Sequence, residues 1–482
     1  MNGTRAVSAG LWSMLDLGLR QGVQFVASVV LARLLLPADF GQIALVVFFS
    51  SFSAIFVQGG LPEALIQSRT TTIEEESTVF WWNVAGSVVF AAALVALGPF
   101  LGAFYHAPAL PGLMVLAAGM TVVASLSGVQ TALLTRELRF DRITRAGVVS
   151  SLASAVAAVV AAWLGAGIWA LGIQMGTAAL TYTVAIWLVG GWRPLLHFRL
   201  ATIRRLLGFG GWLSLSTALE TLYTQGFALL LGKLYGLREL GLYNRAAGTQ
   251  QLPANVFSAV IARVAFPLLS MRNDDPAAMR AGLRKANDLA MLVNVPVMVG
   301  LALLPDLVIE VLFGAKWLPA APILAILAWS GVVFPLHVIN LQAMLAQGRT
   351  RTYFQIEFAK KTVGLAAVLV GSFFGIVGLA LAQLGASLVA LAINTAPTGR
   401  TLDYGLLRQL RDIVGIVWAA AAMAGVVLML RPLVVLSPLP RLAVLVGAGG
   451  LAYAAAGLLV PNRSFRTALG MARSLLDRER PG

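Results

Sequence analysis

The sequence predicts an all-α integral membrane protein of about 14 transmembrane helices. Two pseudo-symmetric six-helix lobes surround a central cavity, and two further helices follow at the C-terminus. Three observations predict it. First, the 482 residues are 59% hydrophobic and only 11% charged, with a mean hydropathy of +0.85. A soluble domain carries about 25% charged residues. Second, the apolar runs are about 20 residues or longer and lack the alternation of barrel strands, so helices must satisfy the backbone in lipid. Third, one pattern occurs twice. Trp12, Arg20, Arg33, Asp39 and Gly41 align with Trp212, Glu220, Lys233, Glu239 and Gly241.

The predicted spans run about 11–36, 41–66, 79–104, 112–134, 144–165, 168–191, 205–234, 237–268, 280–304, 319–346, 353–374, 376–397, 408–431 and 438–460. The first run is too long for a signal-peptide core and reads as the first span. The connections are short, and none holds a soluble catalytic domain. Further matches support a duplication: Gln174-Met-Gly176 with Gln383-Leu-Gly385, and Ala132-Leu-Leu134 with Ala343-Met-Leu345. The expected organisation is therefore an N-terminal lobe over 1–200, a C-terminal lobe over 201–400, and the last two helices with a cytoplasmic tail over 401–482. Two copies of six spans share one topology, related by an axis along the membrane normal, which is a transporter architecture.

Of the 35 Lys and Arg residues, 26 fall in segments on the same side as the N-terminus. Six (Arg33, Lys233, Arg238, Lys316, Arg431, Arg441) fall on the opposite side, and Arg20, Arg245 and Arg263 lie within spans. This bias predicts that both termini are cytoplasmic. It also accounts for the net charge of +15 without nucleic-acid binding. Trp12, Trp81, Trp82, Trp192 and Trp212 near cytoplasmic ends, and Trp163, Trp169 and Trp317 near outer ends, read as aromatic belts.

With no Cys, the chain has no disulfide, thiolate metal site or Cys nucleophile. His106, His197 and His337 are scattered. There is no phosphate-binding Gly-Lys loop and no nucleophile–base set, so no enzymatic activity and no metal or cofactor are expected. Active transport would draw on an ion gradient, the membrane potential or the substrate's own gradient.

Charges inside spans are expensive and mark function. Asp16 and Arg20 lie in the first span, Glu220 in the seventh, and Arg245 and Arg263 in the eighth. On one reading, Arg20 and Glu220 face each other as a gate or a proton-exchanging pair, with Asp16 as a further ion-pair or proton partner. On another, Asp16 and Arg20, four apart on one helix, neutralise each other. Arg20, Arg245 and Arg263 sit at three depths and suit a phosphate-bearing head group, since guanidinium donates two hydrogen bonds at once. Snorkelling to the nearest interface is the plain alternative, for Arg245 more than for Arg263. Many spans also carry amides, among them Gln24, Gln130, Gln250, Asn287, Asn294 and Asn340, which suits a hydrophilic cavity. Pro253, Pro296 and Pro335 read as kinks. Gly18-Leu-Arg-Gln-Gly22, Gly98-Pro-Phe-Leu-Gly102, Gly172-Ile-Gln-Met-Gly176 and Gly371-Ser-Phe-Phe-Gly375 read as close-packing motifs.

Three stretches then carry a resemblance: Leu31-Ala-Arg-Leu-Leu-Leu-Pro-Ala-Asp-Phe-Gly41; Leu240-Gly-Leu-Tyr-Asn-Arg-Ala246 followed by Leu252-Pro253 and Arg263-Val-Ala-Phe-Pro267-Leu-Leu-Ser270; and Leu312-Phe-Gly-Ala-Lys-Trp317. Over nearly the whole chain the sequence resembles the oligosaccharide flippases of O-antigen and exopolysaccharide export, within the multidrug/oligosaccharidyl-lipid/polysaccharide exporter superfamily. The resemblance implies two lobes in a V around a cationic cavity. It implies transfer of a polyprenyl-pyrophosphate-linked oligosaccharide from the inner to the outer leaflet of the bacterial inner membrane by alternating access. A proton or sodium ion is the candidate coupling ion, with membrane lipid and a polysaccharide polymerase or assembly protein as candidate partners. On this reading Arg20, Arg245 and Arg263 contact pyrophosphate, and Asp16 and Glu220 serve as ion-pair or proton-coupling groups. The runner-up is a multidrug or cation antiporter of the same superfamily; a membrane polysaccharide polymerase or ligase comes third.

Overall fold

Capping chemistry sets where several helices begin. Thr72 accepts a hydrogen bond from Glu75 N at 3.4 Å and opens the helix Ile73–Phe104, whose first turn carries Glu74, Glu75 and Glu76. Acids there complement the helix dipole. Asp275 accepts from Ala277 N and Ala278 N at 2.9 and 3.0 Å and opens Pro276–Leu303. Pro37 stands in the first turn of Pro37–Gln58, where its missing N–H costs nothing, and Asp39 accepts from Leu36 N at 2.9 Å.

The computed structural model describes the backbone of residues 3–68, 70–270 and 275–459. Within these it describes all side chains except those of 3–17, 209, 255–270 and 350. All regular structure among the described residues is helical. The chain divides into two compact units, Met1–Gly241 and Leu242–Gly482. The first holds α1 (Gly3–Leu34), α2 (Pro37–Gln58), α3 (Leu61–Gln67), α4 (Ile73–Phe104), α5 (Leu110–Arg136), α6 (Phe140–Trp163), α7 (Trp169–Gly190), α8 (Leu200–Gln225), α9 (Phe227–Leu234) and the start of α10 (Leu237–Ser270). The rest of α10 opens the second unit. It continues with α11 (Pro276–Leu303), α12 (Pro305–Phe313), α13 (Ala321–Val332), α14 (Phe334–Ala346), α15 (Thr350–Gly371), α16 (Gly375–Leu402), α17 (Leu406–Leu430) and α18 (Pro438–Leu459).

In the first unit α4 packs on α5 and α6 on α7, while α1 lies along α6 and α8 lies on α2, α3 and α4. In the second unit α11 packs on α13, α15 on α16 and α17 on α18. The cores follow these pairings. Leu31 and Leu35 of α1 bury against Ala158 and Ala162 of α6 and Ala170 and Leu171 of α7. Leu61, Leu65, Val79, Phe80, Val129 and Ile203 form a second cluster under Trp81, Trp82, Trp187 and Trp192. In the second unit Val295, Leu336, Ile416 and Met423 join α11, α14 and α17.

Among the described residues ten stretches are long and apolar enough to cross a membrane, against the fourteen spans expected from sequence. One of the ten, Arg351–Leu402, includes both α15 and α16, joined by the 3-10 turn Ser372–Phe374. Helices α1, α8 and α10 are not among them. These three helices carry Asp16, Arg20, Glu220, Arg245 and Arg263 in their sequences.

Pro335 does break a helix: α13 ends at Val332 and α14 begins at Phe334. Asn294 donates to the freed carbonyls of Gly331 and Val332, both at 3.0 Å. That is how a membrane helix tolerates proline. Pro296 lies inside the continuous α11. The paired glycines are explained by a crossing. A Cβ at Gly41 would overlap the Leu237 carbonyl, and a Cβ at Gly241 would overlap the Pro37 carbonyl. The α2 and α10 backbones meet there without room for a side chain.

Candidate functional site

In the first unit, polar side chains collect along the seam of α1, α6 and α7. Arg20 projects from α1 onto α6, where its guanidinium occupies the space a Cβ at Gly147 would need. One turn on, Gln24 donates to Ser154 Oγ at 3.4 Å and accepts from Gln174 Nε2 at 3.1 Å. Ser150 Oγ donates to the Ala178 carbonyl at 2.8 Å. Small residues of α6 admit Arg20 and Gln24, and α7 closes the row with an amide. Such a row offers cationic and amide hydrogen-bond donors within an otherwise apolar bundle. It suits a phosphate-bearing or hydroxyl-rich ligand.

In the second unit the two motifs around α10 and α12 meet. Arg245 places its guanidinium 4.9 Å from the Phe313 ring centroid and 5.3 Å from that of Trp317. Phe313 and Trp317 are buried, and the aromatic faces hold the cation by cation–π attraction. Two residues before Arg245, the Tyr243 hydroxyl donates to Gln383 Oε1 of α16 at 2.5 Å.

Trp317 corrects the sequence reading. Trp163 and Trp169 are 79% and 43% exposed, as belt residues are, but Trp317 is 0% exposed. The 3-10 turn Ala315–Ala320 after Gly314 folds its indole inward beneath Arg245. Arg245 accordingly packs on protein aromatics. The first glycine motif is a second correction. Gly98, Gly102, Gly172 and Gly371 lie close to neighbouring helices, but among the described residues a Cβ at Gly18 or Gly22 would meet nothing within 4 Å.

Glu220 stands exposed on α8, and its carbonyl accepts from Thr224 Oγ1 at 2.9 Å. The side chains of Asp16 and Arg263 lie outside the described residues. Gln174 and Gln383 were visible in sequence only as markers of the repeat, yet each makes a polar contact to an earlier helix. Their recurrence was the signal. Among the described residues no three His, Cys, Asp or Glu side chains gather as metal ligands would.

The second unit also carries a buried amide lock. Asn340 of α14 and Gln409 of α17 donate to each other's side-chain oxygens, both at 2.9 Å. Thr398 of α16 donates to Asn340 Oδ1 at 2.7 Å. Asp412 accepts from the Tyr404 hydroxyl at 2.9 Å and pairs with Arg284. His337 sits with Nδ1 2.7 Å from Asn394 Nδ2.

Comparison with known proteins adds the lineage of these motifs. The family described as polysaccharide biosynthesis protein matches residues 30–322. The lipopolysaccharide biosynthesis protein WzxC of Escherichia coli (strain K12) is 26% identical over 380 residues, 78% of this chain and 77% of that protein. The succinoglycan biosynthesis transport protein ExoT of Rhizobium meliloti (strain 1021) is 27% identical over 358 residues, 74% of this chain and 72% of that protein. Among solved structures, the lipid II flippase MurJ in an inward closed conformation has the same fold. Its TM-score is 0.72 at 15% identity, over 92% of this chain and 97% of that one.

Proposed function

The chain belongs to the polysaccharide biosynthesis protein family, and from that premise we propose that it is a multi-pass membrane flippase of polysaccharide export. It moves a polyprenyl-pyrophosphate-linked oligosaccharide from the cytoplasmic to the outer leaflet of a bacterial inner membrane, for O-antigen or exopolysaccharide, by alternating access. It is not an enzyme. Sugar and pyrophosphate cannot enter hydrocarbon unaided. The observation that carries the reading is the row Arg20, Gln24, Ser154 and Gln174: cationic and amide groups set inside a bundle of apolar helices. The transport protein and flippase among its relatives support the same reading.

In this reading Arg20 and Arg263 contact pyrophosphate at different depths. Arg245, stacked on Phe313 and Trp317, presents a pre-oriented guanidinium. Asp16 and Glu220 are ion-pair or proton partners, and a proton or sodium gradient drives the return. Both termini face the cytoplasm, where the tail and basic loops meet lipid or a polymerase of the same pathway.

The test is lipid analysis of a deletion strain. The expected result is accumulation of the complete polyprenyl-linked repeat unit on the cytoplasmic side, with surface polysaccharide reduced. Complete but unpolymerised units on the outer face would replace the flippase with a polymerase. Unchanged glycan with new sensitivity to cationic drugs would replace it with an exporter. Glu220→Gln is expected to impair export without loss of folded protein, and full activity would remove Glu220 from the mechanism.

A further inference from the structure

The second unit holds an imidazole that the mechanism above does not use. His337 lies in α14, within the apolar stretch Ala315–Ala346 and about 14 Å from its end at the helical rise. Two side chains of α16 flank the ring. Asn394 Nδ2 is 2.7 Å from Nδ1, and Ser387 Oγ is 3.5 Å from Nε2. An amide nitrogen can only donate, so Nδ1 is the acceptor and the ring proton sits on Nε2, toward Ser387. The contact leaves a polar atom over. Asn394 is 1% exposed, and its Oδ1 accepts no hydrogen bond among the described residues. A buried acceptor without a donor is costly.

One proton resolves this. Hydronium gives up an O–H bond, the Nδ1 lone pair takes the proton, and the ring gains one positive charge. A half-turn of the Asn394 amide then brings Oδ1 to the new Nδ1–H, while Nε2–H still faces Ser387. The pair thus has two states, neutral and charged, each with its ring–amide hydrogen bond made. The charges around the ring suit a proton that is held and then released. From α15, Lys360 is the charge that acts on the ring, and its Nζ donates to Glu357 Oε1 at 2.6 Å, which balances it within its own helix. From α11, Asp288 acts on Tyr404, and Arg284 pairs with Asp412. Helix α13 carries no titratable side chain, and α16 supplies the uncharged Ser387 and Asn394. These carboxylates are engaged elsewhere and do not hold His337 in its charged form.

The repeat shows that the fold does not require these groups. The register that aligns Ala132 with Ala343 sets Leu126 against His337, and the register that aligns Gln174 with Gln383 sets Ala178 and Ala185 against Ser387 and Asn394. Apolar residues in the first copy stand where the second has an imidazole, a hydroxyl and an amide. Ionisable groups inside spans are kept at a cost and mark ion and proton pathways. We propose that His337, paired with Asn394, is a proton-binding site of the transport cycle, which loads one proton and releases it on the other side of the membrane. This rests on the flippase reading and names a group for its coupling ion.

The experiment uses the full chain reconstituted in liposomes, the lipid-linked repeat unit extracted from the deletion strain, and a pH-sensitive dye inside. In the parent, movement of the lipid is expected to change the internal pH. His337→Gln should cut the protons moved per lipid at least tenfold. Asn394→Leu, which keeps the imidazole and removes the acceptor, should do the same. His197→Gln, in the loop before α8, should leave the ratio unchanged. The ratio separates coupling from support of the fold, because a merely structural change lowers both quantities together. An unchanged ratio in His337→Gln, or in Asn394→Leu where His337→Gln does not fold, overturns the proposal. A parent that moves the lipid without protons also overturns it, and the flippase reading stands. If the deletion accumulates no lipid-linked unit, or the parent moves none, the flippase reading fails and this one falls with it.

Discussion

The two units use the same polar side chains in opposite ways. In the second, Asn340, Thr398 and Gln409 are almost wholly buried, and the Asn340–Gln409 pair is closed by two reciprocal hydrogen bonds. In the first, Arg20, Gln24 and Gln174 are only partly buried and form a row along a helix seam. A closed, buried amide pair specifies how α14, α16 and α17 pack, because any other arrangement would strand its donors. A row that stays partly exposed specifies less about packing and keeps hydrogen-bonding capacity for something else. Burial, more than residue type, separates scaffold from working surface.

The largest effect that would sharpen this contrast is at Trp317. Trp317→Ala removes a fully buried side chain and one platform of Arg245, so a loss of about 3–5 kcal/mol is expected, read as a lower unfolding temperature in detergent. Next comes the lock. Gln409→Leu strands Asn340 and should cost about 1–3 kcal/mol, while Asn340→Leu added to it should recover part of that loss because both partners are then apolar. Additive losses would break the claim that the pair acts as one unit. In the first unit, Gln174→Leu should cost less than about 1 kcal/mol, typical of one interhelical hydrogen bond in a membrane protein, yet reduce export severalfold. A large stability loss with normal export would make the row scaffold after all.

The smallest effect concerns Asp403, between α16 and α17. The hydrogen bond from Arg408 holds its carboxyl below the ordinary value of 3.8, with Arg280 assisting. A depressed carboxyl contributes stability above the ordinary value and loses it as pH falls through the lowered one. Asp403→Asn should therefore flatten the acid limb of the unfolding profile below about pH 4 and change little at neutral pH. The group is exposed, so the change is slight.

Much of this was legible in the sequence. Long apolar runs gave the helices, and charges placed against that background singled out α1, α8 and α10. Their neighbours were not legible. The indole of Trp317 looked like an interface residue because periodicity reports one helix at a time, and a 3-10 turn decides which way it faces. The four glycine motifs look alike as letters, but only the structure separates three that touch a helix from the one at Gly18 and Gly22, where no described atom lies within 4 Å of a Cβ position. Gln174 and Gln383 appeared as repeat markers because their partners, Gln24 and Tyr243, lie on distant helices.

The crossing at Gly41 and Gly241 has one more consequence. Position 41 meets 237 and position 241 meets 37, which is the reciprocal pattern of an isologous interface in a twofold dimer. Here both partners are on one polypeptide. Two separate chains, one ending before α10 and one beginning with it, would associate through this face in a concentration-dependent way, whereas covalent linkage makes the association permanent. Each glycine is therefore half of a single contact, and a side chain at either one opens the whole crossing.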